Sequence, residues 1–491
     1  MADKPNIIVF MTDHQRGDTI QAGSPVKTPN LDRFRKQAVN FTQAYCPAPH
    51  CCPSRATFFS GLYPTEHGVW NNVNVSNTLS RGLYEGTRLF SQDLKEAGYR
   101  LYFSGKWHVS AEEGPEDFGF ENIYHPYTYH KSPRRPDTRE WHWYDEKNQM
   151  DTGEEERTEG RILRPGYPPY VQYGIDESPF DDAEVAQAAA DHLAQMADSD
   201  SPFFLYVGPL GPHDPYFVPQ RFLDLYPIEE IQLPDNFEDA MDDKPALYRR
   251  TQDRYSQLTP EEHRECIRRF YAFCSYEDFL FGKVLEQVEK HGLMDNTLIL
   301  YVSDHGDYMG SHGLWAKGLP CFKEAYRVCA MAGGGVVKSP GREEAALLSL
   351  ADWCPTFLEL AGLPSRKTAG RSLVPFLLQE KVENWRTECY SQTNGNEAYG
   401  IQRAVWNHKW KYVFNAFDYD ELYDLENDPG ELHNLLHGIK DRDIPNSAYG
   451  PVVKEMCKKL WQFAKEHQDN CVNPYIMTAF APYGPGILNE K

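Results

Sequence analysis

The stretch PNIIVFMTD, residues 5–13, gives the first indication of the fold. Its apolar run NIIVFM, residues 6–11, is typical of a strand that is buried on both faces of a sheet. Similar runs occur at residues 99–103, 203–207 and 297–302. Helical patterns lie between the runs, at residues 28–38, 87–97, 182–196 and 276–292. Strands that alternate with helices predict an α/β fold with a large, mixed and mostly parallel sheet sandwiched by helices.

Polar side chains follow all four apolar runs. In chain order they are Asp13, Lys106, His108, His213, Asp304 and His305. Ligands of open α/β sheets bind beyond the carboxyl ends of the strands. The sequence therefore predicts that these four separate segments build one site.

The segment CCPSRATFFSG, residues 51–61, predicts an amphipathic helix whose first turn contains Pro53. Cys51 would then lie at a helix N-terminus, where free N–H groups favour an anion or a thiolate. Arg55, one turn further on, adds a positive fork for a tetrahedral oxyanion. From these residues alone, a nucleophile in an anion pocket and a buried structural cysteine are about equally compatible with the pattern.

The pattern C-x-P-S-R at residues 51–55 resembles the sulfatase family, part of the alkaline-phosphatase-like superfamily. In that family the cysteine is oxidised after translation to formylglycine by a maturation enzyme. Other segments are similar to the family in the expected order: NIIVFMTD (6–13), TPNLDRF (28–34), GKWH (105–108), GPHDPY (211–216), SDHGDYMGSHGLWAKG (303–318) and LYDLENDPGELHNL (422–435).

The resemblance implies hydrolysis of a sulfate ester by a formylglycine derived from Cys51. The catalytic residues that it implies are Cys51, Arg55, Lys106, His108, His213 and Lys317. The metal ligands that it implies are Asp13, Cys51, Asp304 and His305. A non-catalytic glycan-binding relative is a further interpretation, against which this intact set of residues argues.

The metal and the substrate class depend on two departures from the common family pattern. His14 and His305 stand where many sulfatases have Asp and Asn, which resembles the choline-sulfatase and phosphonate-monoester-hydrolase branch. One divalent ion, Ca²⁺, is expected, with Mn²⁺ or another imidazole-tolerant ion as the alternative. His14 is not counted among the ligands. Hydrolysis of a phosphonate monoester or phosphodiester at the same site is the alternative activity.

The substrate is expected to be a small sulfated sugar or an aryl sulfate. Residues 123–173 contain a Tyr/Trp/Arg-rich stretch that includes Arg134, Arg135 and Arg139, and this stretch could form a pocket rim or a surface insertion. The formal net charge of −22 excludes general nucleic-acid binding by long-range attraction.

Domain organisation and location are also predicted from the sequence. The 491 residues predict a catalytic domain over residues 1–371 and a C-terminal α+β subdomain with an antiparallel sheet over residues 372–491. Strand 411–414 and helix 453–467 belong to this subdomain. No signal peptide or membrane span is found, so a cytoplasmic location is expected, although a trimmed chain would look the same. The eleven cysteines are expected to be mostly reduced, and a homo-oligomer is possible.

Overall fold

The computed structural model describes residues 4–75, 78–125, 156–164, 167–197, 199–472 and 481–490. Arg134, Arg135 and Arg139 lie outside the described residues. The strands are β1 Asn6–Thr12, β2 Ala38–Phe41, β3 Ala44–Tyr45, β4 Arg100–Gly105, β5 Glu121–Tyr124, β6 Arg161–Arg164, β7 Tyr167–Val171, β8 Tyr173–Ile175, β9 Phe203–Gly208, β10 Tyr216–Val218, β11 Thr297–Ser303, β12 Arg327–Val328, β13 Ala330–Gly333, β14 Arg342–Glu344, β15 Leu348–Ser349, β16 Cys389–Gly395, β17 Tyr399–Trp406, β18 Trp410–Asn415 and β19 Glu421–Asp424. The α-helices are α1 Pro29–Arg35, α2 Cys51–Ser60, α3 Pro64–His67, α4 Phe90–Glu96, α5 Asp182–Ala197, α6 Gln220–Leu223, α7 Ala246–Asp253, α8 Pro260–Lys290, α9 Lys323–Tyr326, α10 Trp353–Leu360, α11 Val374–Leu377 and α12 Gly450–Glu466.

An eight-stranded sheet forms the centre of the molecule, in the order β14-β2-β13-β11-β1-β9-β4-β5. The five strands from β11 to β5 are parallel, whereas β13 is antiparallel to both of its neighbours. All four predicted strands are present and occupy neighbouring positions in its middle. The prediction of a mixed, mostly parallel sheet is confirmed.

Both faces of the central sheet are covered, which explains why the strands read as unbroken apolar runs. Along β1, Ile7, Val9 and Met11 join the core cluster that contains α2, α4 and α10. Ile8 and Phe10 point the other way, into the cluster formed by α1, α5 and α8. Alternate residues of one strand therefore belong to two different cores.

The C-terminal part contains a four-stranded antiparallel sheet, β16-β17-β18-β19. Val405 and Tyr412 pack with Met456 and Trp461 of α12 in a third core cluster. Ala404 and other residues of the opposite face join the core cluster of the main sheet. The antiparallel sheet was predicted correctly, and the boundary between residues 371 and 372 stays a prediction.

Two helices differ from the sequence-based expectation. α8 begins at Pro260 rather than near residue 276, because Thr259 forms a capping box with Glu262 and a narrow apolar stripe runs through the charged first half. The helix predicted over residues 28–38 ends at Arg35, and strand β2 follows at Ala38.

The sequence predicted an amphipathic helix at α2, and this prediction is wrong. All ten residues of α2 are buried, so the helix has no polar, solvent-facing side. Cys51 is its first residue, as predicted, and Gly61 ends it with a left-handed φ of 73°. All eleven cysteines lie in the described part of the chain and are free thiols. Among the described helices, none combines the length and apolar character that a membrane crossing requires.

Candidate active site

Cys51 lies at the N-terminus of α2, buried beneath the carboxyl ends of the central strands. Its Sγ is 3.5 Å from Asp13 Oδ1 and 3.3 Å from His305 Nε2. The thiol therefore has an acidic and a basic neighbour within hydrogen-bonding distance.

The pairing of β1 with β11 brings the two site carboxylates together. Thr12 is in register with Ser303, so Asp13 and Asp304 leave adjacent strands side by side. Both carboxylates are fully buried. Burial and the charge of Asp13 raise the pKa of Asp304 to about 6. Burial works against ionisation of Asp13, yet the nearby cations Lys106 and Arg55 hold its pKa well below the usual value.

Arg55 holds both of these carboxylates. Its Nη2 donates to Asp13 Oδ2 at 2.9 Å and its Nε donates to Asp304 Oδ2 at 2.8 Å. Its Nη1 donates to the Tyr206 hydroxyl at 2.7 Å and to the Lys106 carbonyl at 3.1 Å. The sequence predicted that the guanidinium group of Arg55 binds a substrate oxyanion. In the structure the side chain is fully buried, and the guanidinium group instead donates to acceptors of the protein. Arg55 orients and neutralises Asp13 and Asp304.

The four predicted metal ligands converge. Asp13, Cys51, Asp304 and His305 each offer one ligand atom, and these atoms lie within 4.8 Å of one another. The His305 Nδ1–H donates to the Gly306 carbonyl at 2.9 Å, which fixes the ring so that Nε2 faces Cys51. Two carboxylates, an imidazole and a group at position 51 fit a divalent cation.

Cations around Cys51 favour a negative charge at this position. Burial alone would raise the pKa of the thiol, but Lys106, Lys317 and His305 outweigh it and hold the pKa well below its usual value. Lys106 Nζ donates to Asp13 Oδ2 at 2.6 Å. A hydrogen bond from His108 also stabilises the thiolate. Burial and the neighbouring Lys106 lower the pKa of His108 to about 4, so its imidazole is neutral near pH 7.

Lys317 and His213 lie together at the mouth of the site. Lys317 Nζ is 3.0 Å from His213 Nε2, and the side chain of Lys317 also contacts His14 Nε2. All the predicted catalytic residues are therefore gathered around Cys51, in agreement with the expectation that four strand ends build one site. The catalytic role of each residue stays a prediction.

The sequence analysis left out His14, which the structure places inside the site. Its Nδ1 is 3.0 Å from Asp307 Oδ2, and Asp307 also accepts the Tyr216 hydroxyl at 2.9 Å. Burial, with His213 and Lys317 close by, lowers the pKa of His14 to about 4. Neutral His14 can accept from Lys317, so it holds this lysine. Asp307 is part of the recognised segment SDHGD, but its contact with His14 could not be predicted, because the two residues lie 293 positions apart in the chain.

A buried pair of carboxyl groups supports the loop that carries His213. Asp182 Oδ1 and Oδ2 accept the backbone N–H groups of Leu210 and Gly211, at 2.7 and 2.8 Å. The Gly211 carbonyl in turn accepts the Asp13 N–H at 3.0 Å. Glu277 of α8 is a second buried carboxyl group beside Asp182, and burial raises the pKa of Asp182 to about 8 and that of Glu277 well above its usual value. No sequence motif connects these residues.

A cleft of about 610 Å³ opens from His213 and Lys317. Its walls include Tyr170, Arg250, Arg254, Asn72 and Glu397. The cleft belongs to the size class of small-molecule sites and gives access to the buried centre.

Two family descriptions match the chain. The family model described as Sulfatase matches residues 5–363. The family model described as N-sulphoglucosamine sulphohydrolase, C-terminal, matches residues 310–466. A choline-sulfatase of Rhizobium meliloti (strain 1021) is 32% identical over 465 residues, which cover 88% of this chain and 82% of that protein.

Solved structures share the fold. The phosphonate monoester hydrolase of Agrobacterium radiobacter superposes with a TM-score of 0.74 at 22% identity, covering 94% of this chain and 96% of the other. A protein in complex with its substrate D-glucosamine-2-N,6-O-disulfate superposes with a TM-score of 0.72 at 20% identity, covering 95% and 99%.

Proposed function

Because the chain belongs to the sulfatase family and is a sulfuric ester hydrolase, we propose that it cleaves a sulfated sugar or an aryl sulfate through a formylglycine formed at Cys51. One observation carries the proposal. Cys51 lies at the first residue of a buried helix, within 3.5 Å of two residues that also suit a divalent cation.

We assign the metal to Asp13, Asp304, His305 and the modified side chain at position 51. Oδ1 of Asp13 faces Cys51, whereas its Oδ2 is engaged by Arg55 and Lys106. Carboxylate oxygens favour Ca²⁺, and the imidazole of His305 keeps Mn²⁺ as the alternative. When bound, the ion supplies Lewis-acid polarisation of the sulfate oxygens and of the nucleophile.

The nucleophile would be the hydrated aldehyde at position 51, whose second hydroxyl allows sulfate to be expelled without attack of water on sulfur. His108, which hydrogen-bonds to position 51, is placed to remove the proton from that second hydroxyl. Lys106 and Lys317 supply positive charge for the sulfonate oxygens. His213 Nε2, 3.0 Å from Lys317 Nζ, is placed to protonate the departing alcohol.

The alternative function is hydrolysis of a phosphonate monoester or phosphodiester. The observation that favours it is the histidine-containing metal set, because His305 stands in the position next to Asp304. The same cations and nucleophile would serve a tetrahedral phosphorus centre. A single preparation assayed with 4-nitrophenyl sulfate and 4-nitrophenyl phenylphosphonate separates the two activities by their relative kcat/KM.

The test combines chemistry and activity. Mass spectrometry of the peptide that contains Cys51, from protein made in its native cell, is expected to find the loss of sulfur that converts cysteine to formylglycine. Metal analysis of the same sample is expected to find about one divalent ion per chain. Cys51→Ala should abolish sulfate release. An unmodified thiol in fully active protein, or full activity of Cys51→Ala, would overturn the proposal.

A further inference from the structure

The reacting groups occupy only one end of the cleft. His213 and Lys317 line this end, and the remaining walls extend beyond them to α7 and to the turn between β16 and β17. A volume of about 610 Å³ is far more than one sulfate group needs. The rest of the cleft must therefore accommodate the part of the substrate that carries the ester.

Two arginines line the cleft outside the reacting groups. Arg250 lies in α7 and Arg254 immediately follows it, so their i, i+4 spacing directs them to one side of the helix. Within the described residues, neither forms an ion pair. The adjacent Arg249 behaves differently, because its Nη2 is 2.8 Å from Asp242 Oδ1. In a chain with a net charge of −22, two cleft-lining guanidinium groups that form no ion pair in the described part of the chain provide positive charge for an anion from solution.

Arg254 is held in place close to the reacting groups. Its Cζ lies 5.3 Å from the centroid of the Tyr170 ring and 5.5 Å from that of the Tyr255 ring. The Tyr170 hydroxyl donates to Asp214, the residue after His213. One aromatic ring therefore separates Arg254 from the neighbourhood of the leaving-group histidine, and an anion bound there would belong to the same sugar unit as the ester or to the next unit.

Other residues of the cleft lining suit hydroxyl groups. They are Asn72, Asn396 and Glu397, and the Asn396 Nδ2–H group donates to Glu397 Oε1 at 3.0 Å. Amide and carboxylate groups that share a cleft with two arginines are well suited to a polyhydroxylated ring with an acidic substituent. A trimethylammonium group, as in choline sulfate, would meet two positive charges.

We propose, on the basis of the sulfatase function above, that the substrate is a sulfated sugar with a second anionic group, bound by Arg250 and Arg254. The second group is a carboxylate or another sulfate, since a guanidinium fork binds both. Glu397 and the two asparagines would bind the sugar hydroxyls.

The test compares sugars that differ only in the second anion. Glucosamine 6-sulfate, glucosamine-2-N,6-O-disulfate and a sulfated disaccharide with a uronic acid are assayed for sulfate release, next to 4-nitrophenyl sulfate and choline sulfate. The selectivity ratio, kcat/KM for a doubly anionic sugar over kcat/KM for the singly sulfated one, is expected to exceed about tenfold. The disulfate and the uronate arms distinguish the two kinds of anion.

Arg250→Ala and Arg254→Ala should each lower the selectivity ratio by about tenfold, and the lowering should weaken in high salt. Arg249→Ala is the matched control, one position away on the same helix, and should leave the ratio unchanged. A ratio near one in the wild type, unchanged selectivity in both arginine variants, or preference for choline sulfate would each overturn the inference. Absence of sulfate release from every ester would instead contradict the proposed function itself.

Discussion

Glu277→Gln is expected to make the free energy of unfolding less dependent on pH. Both oxygens of Asp182 accept backbone N–H groups, whereas no hydrogen bond among the described residues compensates a charge on Glu277, so Glu277 is the carboxyl group of the pair that keeps its proton. In the unfolded chain both groups titrate near pH 4. In the folded chain burial raises the pKa of Asp182 to about 8 and that of Glu277 well above its usual value.

The sign follows from these raised pKa values. The stabilising effect of the Glu277 proton is complete below about pH 4 and is lost as the pH rises toward the raised pKa of Glu277, because the folded state keeps a proton that the unfolded state has released. A difference of one proton lowers the free energy of unfolding by about 1.4 kcal/mol per pH unit, or about 3 kcal/mol between pH 5 and pH 7. Glutamine keeps an N–H donor toward Asp182 and has no proton to lose.

Urea unfolding of the wild type and of Glu277→Gln, followed in parallel at pH 5, 6, 7 and 8, measures this difference. Subtraction removes the contribution of groups common to both proteins. Of the ionisable neighbours, Asp13 has a lowered pKa and Cys274, Tyr276 and Tyr301 have raised ones. Asp278 and Asp182, whose pKa values burial raises to about 6 and about 8, are present in both proteins. The variant should gain stability relative to the wild type as the pH rises. A difference that stays constant from pH 5 to pH 8 would refute the raised pKa of Glu277.

Three further predictions concern the site itself. Arg55→Ala should lower the free energy of unfolding in urea by about 3–5 kcal/mol, because it leaves Asp13 and Asp304 buried without their shared cation. A loss below about 1 kcal/mol would contradict the role assigned to Arg55. Calcium affinity should fall about tenfold per pH unit below about pH 6, because burial and the charge of Asp13 keep Asp304 protonated there. Titration calorimetry on chelator-treated protein measures this affinity, and a value independent of pH between 5 and 6 would exclude Asp304 as a ligand. His213→Asn should lower kcat/KM for a sulfated sugar about 10²–10⁴-fold and have a smaller effect on kcat/KM for 4-nitrophenyl sulfate, whose leaving group needs no proton. Equal losses of kcat/KM for the two substrates would exclude proton donation by His213.

The central fold could be predicted because its signals are local. Each buried strand, such as β1 or β11, is a continuous apolar run that needs no knowledge of its partners. The position of the site followed from the same runs, since parallel strands bring Asp13 and Asp304 to one edge. α8 was partly missed because charged residues hide the apolar stripe of its first half, although the capping sequence at Thr259 was available.

The rest of the site depends on contacts that no local pattern contains. Asp182 and Glu277 lie in different helices, and their raised pKa values follow from burial that only the folded chain creates. His14 had a recognisable position after Asp13, yet its contacts with Asp307 and Lys317 emerge only when distant segments meet. Arg55 was predicted as a functional residue, but which anion it holds depends on the direction of its buried side chain.

The buried charges fall into two sets with different partners. Arg55 is fully engaged with Asp13, Asp304 and their surroundings, so it contributes fixed neutralisation rather than affinity for a substrate. Lys317, by contrast, lines the cleft and lies within hydrogen-bonding distance of imidazole nitrogens of His14 and His213, and among the described residues no carboxylate forms an ion pair with it. An acidic protein can therefore bind an anionic ester at a cation that imidazoles hold in place. The neutrality of His14, which follows from its burial beside His213 and Lys317, is then a condition for substrate binding.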